Sequence, residues 1–162
     1  MTPTTQIKGR LMGPRNAYRS TVEVAYPLRE IERAGTIVLR VVIPEASWWE
    51  PRTPFLYQGP LELWQDGQLR ECHDLSHGIR TLQMTANGLR LNGKSLALHG
   101  TAVELPFHET QALQWHNEGI NALFTSADDA EMKSALLRIA NRFGFLAMDQ
   151  YGAKFLDDQI EI

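Results

Sequence analysis

Cys72, His73, Asp74 and His77 form the densest group of side chains able to hold a metal or move a proton. Zinc takes thiolate, imidazole and carboxylate ligands at about 2.0–2.3 Å, so a working cluster must converge on one point. The region reads as a strand, and four steps along a strand cover about 13 Å, too far for His73 and His77 to share one ion unless the chain bends. No metal site and no cofactor are expected. The tryptophans, Trp48, Trp49, Trp64 and Trp115, are the residues best suited to a sugar, because a flat indole face can stack on a pyranose ring. Trp49 and Trp115 fall on predicted core faces. Trp48, beside a loop, and Trp64, beside a turn, are the candidate sugar-binding positions. No serine sits in a Gly-x-Ser-x-Gly elbow and no glycine-rich phosphate loop precedes a helix, so nucleophilic and nucleotide chemistry lack support. His99 reads as packed or hydrogen-bonded, and His108 and His116 as lining a solvated helix. Asp128-Asp129 reads as helix N-terminal charge and Asp157-Asp158 as a solvated tail.

The elements that would position these residues change character halfway along the 162-residue chain. Tyr18 to Ala25 alternates, Thr36 to Ile43 is a β-branched burst, and Leu61, Leu63 and Asp66-Gly67 read as a strand entering a hairpin turn. Pro27, Pro44, Pro51, Pro54 and Pro60 oppose any long helix before residue 78. Asn87-Gly88 and Asn92-Gly93 divide Ile79 to Leu98 into short strands.

After Gly100 the period lengthens. Ala135, Leu136, Ile139, Ala140 and Phe143 mark one face of a helix starting near Met132, with a capping box from Asp128 and Glu131 and a terminating Gly144. A second helix is expected over His108 to Glu118, ending at Gly119. The bursts Ser95 to Leu98, Ile120 to Phe124 and Phe145 to Met148 then read as parallel strands joined by right-handed crossovers.

Composition narrows the function classes. Lys and Arg number 16 against 19 Asp and Glu, for a net charge of -3, and no basic stripe offers to neutralise phosphates, so nucleic acid is excluded as a partner. No run approaches the roughly 20 apolar residues of a membrane span, and Met1 to Gly13 lacks the apolar middle of a secretory signal. No membrane association is expected, and a soluble, cytoplasmic chain is the expectation. The single Cys72 excludes an internal disulfide.

Three landmarks in order then resemble the family-2 glycoside hydrolases, the β-galactosidase and β-glucuronidase group. Trp49-Glu50-Pro51-Arg52-Thr53-Pro54-Phe55-Leu56-Tyr57 is similar to that family's Trp-x-Pro-x-x-Pro-x-Leu-Tyr segment. Gly78-Ile79-Arg80, Leu91-Asn92-Gly93-Lys94 and Leu98-His99-Gly100 resemble the elements leading into its first barrel strand. Gly119-Ile120-Asn121-Ala122-Leu123, Asn141-Arg142-Phe143-Gly144-Phe145 and Met148-Asp149 are similar to its second strand, second helix and third strand. The resemblance implies an immunoglobulin-like β-sandwich followed by a partial (β/α) barrel with parallel strands. Its expected parts are a tail at 1–14, the sandwich at 15–82, a hairpin and βαβαβ barrel segment at 83–152, and a tail at 153–162. Trp49, Phe55 and Tyr57 are expected to close one end of the sandwich core.

Catalysis in that family, as the resemblance implies, uses two glutamates at the ends of the fourth and seventh barrel strands, and this sequence stops after the third. Asp149, at the third strand's end, becomes a further candidate sugar contact, but Gln150 follows where the family carries a glutamate. Ala102, Val103, Glu104 and Leu105, then Phe124, Thr125, Ser126 and Ala127, stand where the family carries polar sugar-contacting runs. No catalytic residue is therefore assigned, and the chain is expected to be a non-catalytic, carbohydrate-associated or interaction module. The alternative is a subunit or truncated form of a retaining β-glycosidase whose glutamates lie outside this chain. Leu96, Leu98, Leu123, Phe124, Phe145 and Leu146 are expected to seek cover from the sandwich, a second copy or a partner chain.

Overall fold

A computed structural model describes residues 5–33, 36–104, 106–126, 128–149 and 155. The chain divides into two compact units. One holds the chain up to Ser47 together with Phe55–Ile79, and the second holds Trp48–Pro54 and the chain from Arg80 onward.

The first unit is built from strands β1 (Thr5–Arg15), β2 (Val24–Pro27), β3 (Arg29–Arg33), β4 (Thr36–Arg40), β5 (Leu56–Gln65) and β6 (Gln68–His77). A four-stranded antiparallel sheet runs in the order β2-β1-β5-β6, and β3 and β4 form a two-stranded sheet. The two sheets meet along β1, where the Leu28 N–H donates to the Gly9 carbonyl at 3.0 Å and the Ile7 N–H to the Glu30 carboxylate at 3.2 Å. Among the described residues, Leu11, Leu56, Tyr57 and Leu61 are the buried apolar side chains of this unit. Successive strand residues point to opposite faces, so Leu61 and Tyr57 reach one face while Glu62 turns to the other. The Asp66-Gly67 turn joins β5 to β6 with φ of 51° and 75°, the left-handed pair that a two-residue hairpin needs.

The second unit begins with β7 (Leu82–Thr85), β8 (Gly88–Leu91) and β9 (Lys94–Ser95), a small antiparallel sheet whose β8–β9 turn is Asn92-Gly93, with φ of 50° and 78°. There follow β10 (Gly100–Ala102), α1 (Glu109–Asn117), β11 (Ala122–Thr125), α2 (Ala130–Phe143) and β12 (Leu146–Asp149). The three strands β10-β11-β12 pair in parallel, in sequence order, with α1 and α2 as the crossovers. The architecture is thus a β-sandwich unit followed by a partial (β/α) barrel segment.

Helix α2 buries Leu136, Ala140, Asn141 and Phe143, the face its apolar spacing marks. Fully burying a Leu or Phe contributes about 1.5–3 kcal/mol, so this face holds the helix on the sheet. Its start is capped by Asp129, whose carboxylate accepts from the Met132 N–H at 2.9 Å. Gly144 ends it at φ 87°, and a Cβ there would collide with the Pro51 carbonyl. Helix α1 starts after His108, which makes no side-chain cap, and stops before Gly119 at φ 81°.

Several expectations are corrected. Residues 5–14 of the expected N-terminal tail belong to β1, because Thr5 to Arg15 finds its partners on β2 and β5. The alternation expected over Tyr18 to Ala25 yields a strand only from Val24, and the burst to Ile43 ends as strand at Arg40. The first parallel strand is Gly100–Ala102 rather than Ser95 to Leu98, and Ser95 pairs with Arg90 in the hairpin instead. The cap is Asp129, not Asp128. Trp49, expected at an end of the sandwich, belongs to the second unit. Leu123, Phe145 and Leu146, expected to seek cover from the sandwich, a second copy or a partner chain, are buried within the described chain itself. Of residues 153–162 only Phe155 is described, in an antiparallel bridge with Met148. Asp157, Asp158, Gln150, Leu105 and Ala127 lie outside the described residues. No helix among the described residues is long and apolar enough to cross a membrane.

Candidate functional site

Parallel strands bring their carboxyl ends to one edge, which is where open α/β sheets and barrels hold their ligands. Here those ends are Ala102, Thr125 and Asp149, with Thr125 opposite Asp149 in the β11–β12 register. Thr125 is buried at 5% exposure and Asp149 is partly buried. Just beyond β10, the Val103 N–H donates to the Phe124 carbonyl at 2.8 Å and extends the ladder toward this edge. The strand ends therefore supply one hydroxyl and one carboxylate. Retaining glycoside hydrolysis needs two carboxyl groups about 5–5.5 Å apart. Glu104 follows two residues after β10 and is exposed.

The indole rings have separate surroundings. Trp48, in the second unit, is 49% exposed, leaving a large flat apolar surface to solvent. Trp64, on β5 of the first unit, is half-buried, and its N–H donates to the Glu62 carboxylate at 2.8 Å. The Lys8 ammonium lies 4.7 Å from the Trp64 ring centroid, so one face of that indole already carries a cation. Trp115 stacks on Phe107 with centroids 5.2 Å apart. Trp49 is fully buried.

Cys72, His73, Asp74 and His77 lie exposed along β6. His73 meets Glu71 at 3.4 Å, and among the described residues no three His, Cys, Asp or Glu side chains gather into a metal-holding group. His99 is exposed, and its backbone N–H and carbonyl bond the side chain and backbone of Asn121 at 2.8 Å each. His116 is half-buried, with Nδ1 3.0 Å from the Phe143 carbonyl oxygen. Burial lowers its pKa, the Phe143 contact opposes that, and the Arg52 charge adds to the lowering.

Sequence reasoning gave no functional assignment to the polar network around Trp49. The Trp49 indole N–H donates to the Asn141 carbonyl oxygen at 2.7 Å. The Arg80 guanidinium lies 4.6 Å from the Trp49 ring centroid and donates to Asn141 Oδ1 at 2.9 Å. Asn92 Nδ2 donates to the Trp49 carbonyl at 2.9 Å, and Lys94 pairs with Glu50 at 3.1 Å. The Trp49–Pro54 loop is thereby tied to α2 and to the β8–β9 turn. Arg80, Asn92 and Asn141 already stood among the landmark residues, but side chain to backbone bonds over such separations leave no local pattern to read. A groove of about 490 Å³ also opens between α2 and the segment before α1, lined by Phe107, Met132, Ala135 and Ile139 with Asp129 and Glu131.

No protein-family model matches the sequence, and no curated protein matches it. Solved structures do. A glycosyl hydrolase family 2 member from Bacteroides cellulosilyticus aligns at 24% identity and a TM-score of 0.57, covering 91% of this chain and 20% of its own. The β-glucuronidase of Ruminococcus gnavus aligns at 21% identity and 0.58, covering 91% of this chain and 24% of its own. That of Parabacteroides merdae aligns at 16% and 0.56, covering 90% and 20%. The chain spans about a fifth to a quarter of the length of these proteins. With a sandwich unit leading into three parallel barrel strands, the chain carries the fold of the sandwich-to-barrel segment of glycosyl hydrolase family 2 proteins.

Proposed function

We propose that the chain acts as a non-catalytic, carbohydrate-associated module, with Trp48 as the principal sugar platform and Asp149 as a polar contact at the strand ends. The observation that carries this reading is the carboxyl edge of the parallel sheet, where Ala102, Thr125 and Asp149 present a single carboxylate. One carboxylate can accept hydrogen bonds from sugar hydroxyls but cannot divide the roles of acid and nucleophile. Trp48, 49% exposed, adds apolar area suited to the face of a pyranose ring. Trp64 is a weaker platform because Lys8 covers one face of its ring. β-Glucuronides are the first ligands to try, from the β-glucuronidases that share the fold, and β-galactosides follow from the family resemblance of the sequence.

Calorimetric titration with methyl β-glucuronide and methyl β-galactoside tests the reading. Binding that falls about fivefold or more in Trp48→Ala is expected, since an exposed aromatic platform contributes on the order of 1 kcal/mol or more. Turnover of a chromogenic β-glucuronide by the chain alone would overturn the non-catalytic assignment.

A second reading is favoured by coverage of only a fifth to a quarter of the matched proteins. In it, the chain contributes to a retaining β-glycosidase whose glutamates lie on other polypeptide. Activity appearing only when such a polypeptide is supplied would establish it.

A further inference from the structure

Strand β6 is the edge of the four-stranded sheet, hydrogen-bonded to β5 on one side and to no described strand on the other. It is ten residues long, and every residue from Gln68 to Asp74 is exposed. A long exposed edge is a template for pairing, and natural proteins manage it with charge or cover it. About Cys72 its charges are self-complementary, because turning the strand end for end exchanges Arg70 with Asp74.

A strand that pairs antiparallel with a copy of itself about a two-fold axis normal to the sheet keeps each side chain on its own face, so the register must centre on a residue. Centring on Glu71 or on Asp74 sets a carboxylate against its own copy, and like charges directly opposite are destabilising. Centring on His73 sets Glu71 against Leu75 and Arg70 against Ser76, pairs with no charge complementarity. Centring on Cys72 sets Arg70 against Asp74 and Glu71 against His73, each twice by symmetry, with Cys72 facing its own copy. Arg70 and Asp74 have no ion-pair partner among the described residues, so both charges are available. The β5–β6 register shifts by one residue between Leu63 and Trp64, with Glu71 opposite Leu63 and Leu69 opposite Trp64, so Arg70 is the extra residue of a bulge. A bulge increases local twist. Pairing is therefore confined to the stretch around Cys72 and the two Arg70–Asp74 pairs that frame it, with the long arginine side chain spanning the displacement.

We propose that β6 is a homodimerisation edge, and that its occupant is β6 of a second copy of this chain, antiparallel and in the register centred on Cys72. The Arg70–Asp74 pairs act by selecting the register, since all other symmetric registers forfeit them or oppose like charges. The inference concerns the first unit and stands apart from the sugar assignment in the second.

The test is analytical ultracentrifugation of the full chain under reducing conditions, followed by diamide, which takes up the two thiol hydrogens as an S–S bond forms. Opposed residues in an antiparallel pair have Cα atoms about 4.5–5.5 Å apart, inside the range a disulfide spans. A concentration-dependent dimer is expected, cross-linked through Cys72. Arg70→Asp should weaken it by about tenfold or more, because attraction becomes repulsion at two symmetric positions. The exchanged variant Arg70→Asp/Asp74→Arg should restore both association and cross-linking. A wild-type monomer at every concentration would overturn the proposal. So would association indifferent to Arg70→Asp, or a charge exchange that fails to rescue.

Discussion

The indole N–H of Trp49 donates to the carbonyl oxygen of Asn141 at 2.7 Å across 92 residues of sequence. That carbonyl lies in the last turn of α2, where helix oxygens lack partners within the helix. One buried side chain thus satisfies a helix-end acceptor, fills core space and anchors the loop on which Trp48 also stands.

Trp49→Ala should destabilise the second unit by about 3–5 kcal/mol, since a fully buried Trp leaves both a cavity and an unpaired carbonyl. Trp49→Phe keeps most of the volume and should cost less, about 1–3 kcal/mol for the abandoned acceptor. Urea unfolding followed by circular dichroism measures both, and a Trp49→Phe loss near zero would show that the hydrogen bond contributes nothing.

Arg80 acts on the same pair from above, stacked on the Trp49 ring and bonded to Asn141 Oδ1. A double-mutant cycle of Arg80→Met and Asn141→Ala should give a coupling of about 0.5–3 kcal/mol, the range for residues that share a network. Arg80→Lys should recover only part of the loss, because an ammonium lacks the planar guanidinium that stacks and donates at once. Additive single losses would count against the network.

Two helix-terminating glycines separate backbone strain from crowding. Gly119 and Gly144 both hold positive φ, at 81° and 87°, but a Cβ on Gly119 meets nothing within 4 Å while one on Gly144 meets the Pro51 carbonyl. Gly119→Ala should therefore cost about 1 kcal/mol, the left-handed penalty alone. Gly144→Ala should cost more than that, because the Trp49–Pro54 loop must also move. Thermal midpoints of the two variants make the comparison, and equal shifts would refute the crowding.

His116 links this unit to pH. Burial, opposed by the Phe143 carbonyl and assisted by Arg52, lowers its pKa below the ordinary 6.5. Below that value the unfolded chain binds more protons at this residue than the folded chain does, so stability falls as pH drops through about 6.5 and levels off beneath the folded pKa. The thermal midpoint of wild type should decline between pH 7.5 and 5 more steeply than that of His116→Gln. Parallel profiles would show that the imidazole is not the titrating group.

Sequence reading succeeded where the cause is local. The turns at Asp66-Gly67 and Asn92-Gly93 appear as hairpin turns because φ above zero is easiest for those residues. Helix α2 follows from the spacing of Leu136, Ala140 and Phe143, and it ends at Gly144 as expected. It failed where the partner is distant. The alternation of Ile7 and Leu11 is interrupted by Gly9 and Gly13, so β1 is visible only once β5 pairs with it. Asp128 and Asp129 are chemically equal as caps, and only the backbone geometry selects Asp129.

The candidate site divides in the same way. The sequence alone determined that Trp48 and Trp64 are the indoles outside the predicted core faces and that Asp149 ends a strand, because burial period and strand length are local properties. Only the tertiary structure decided that Lys8 covers Trp64, that Thr125 stands beside Asp149, and that Trp49 serves the second unit. Those outcomes depend on which distant segments pair, and β-pairing and buried hydrogen bonds are chosen by the whole chain's burial rather than by any window of it.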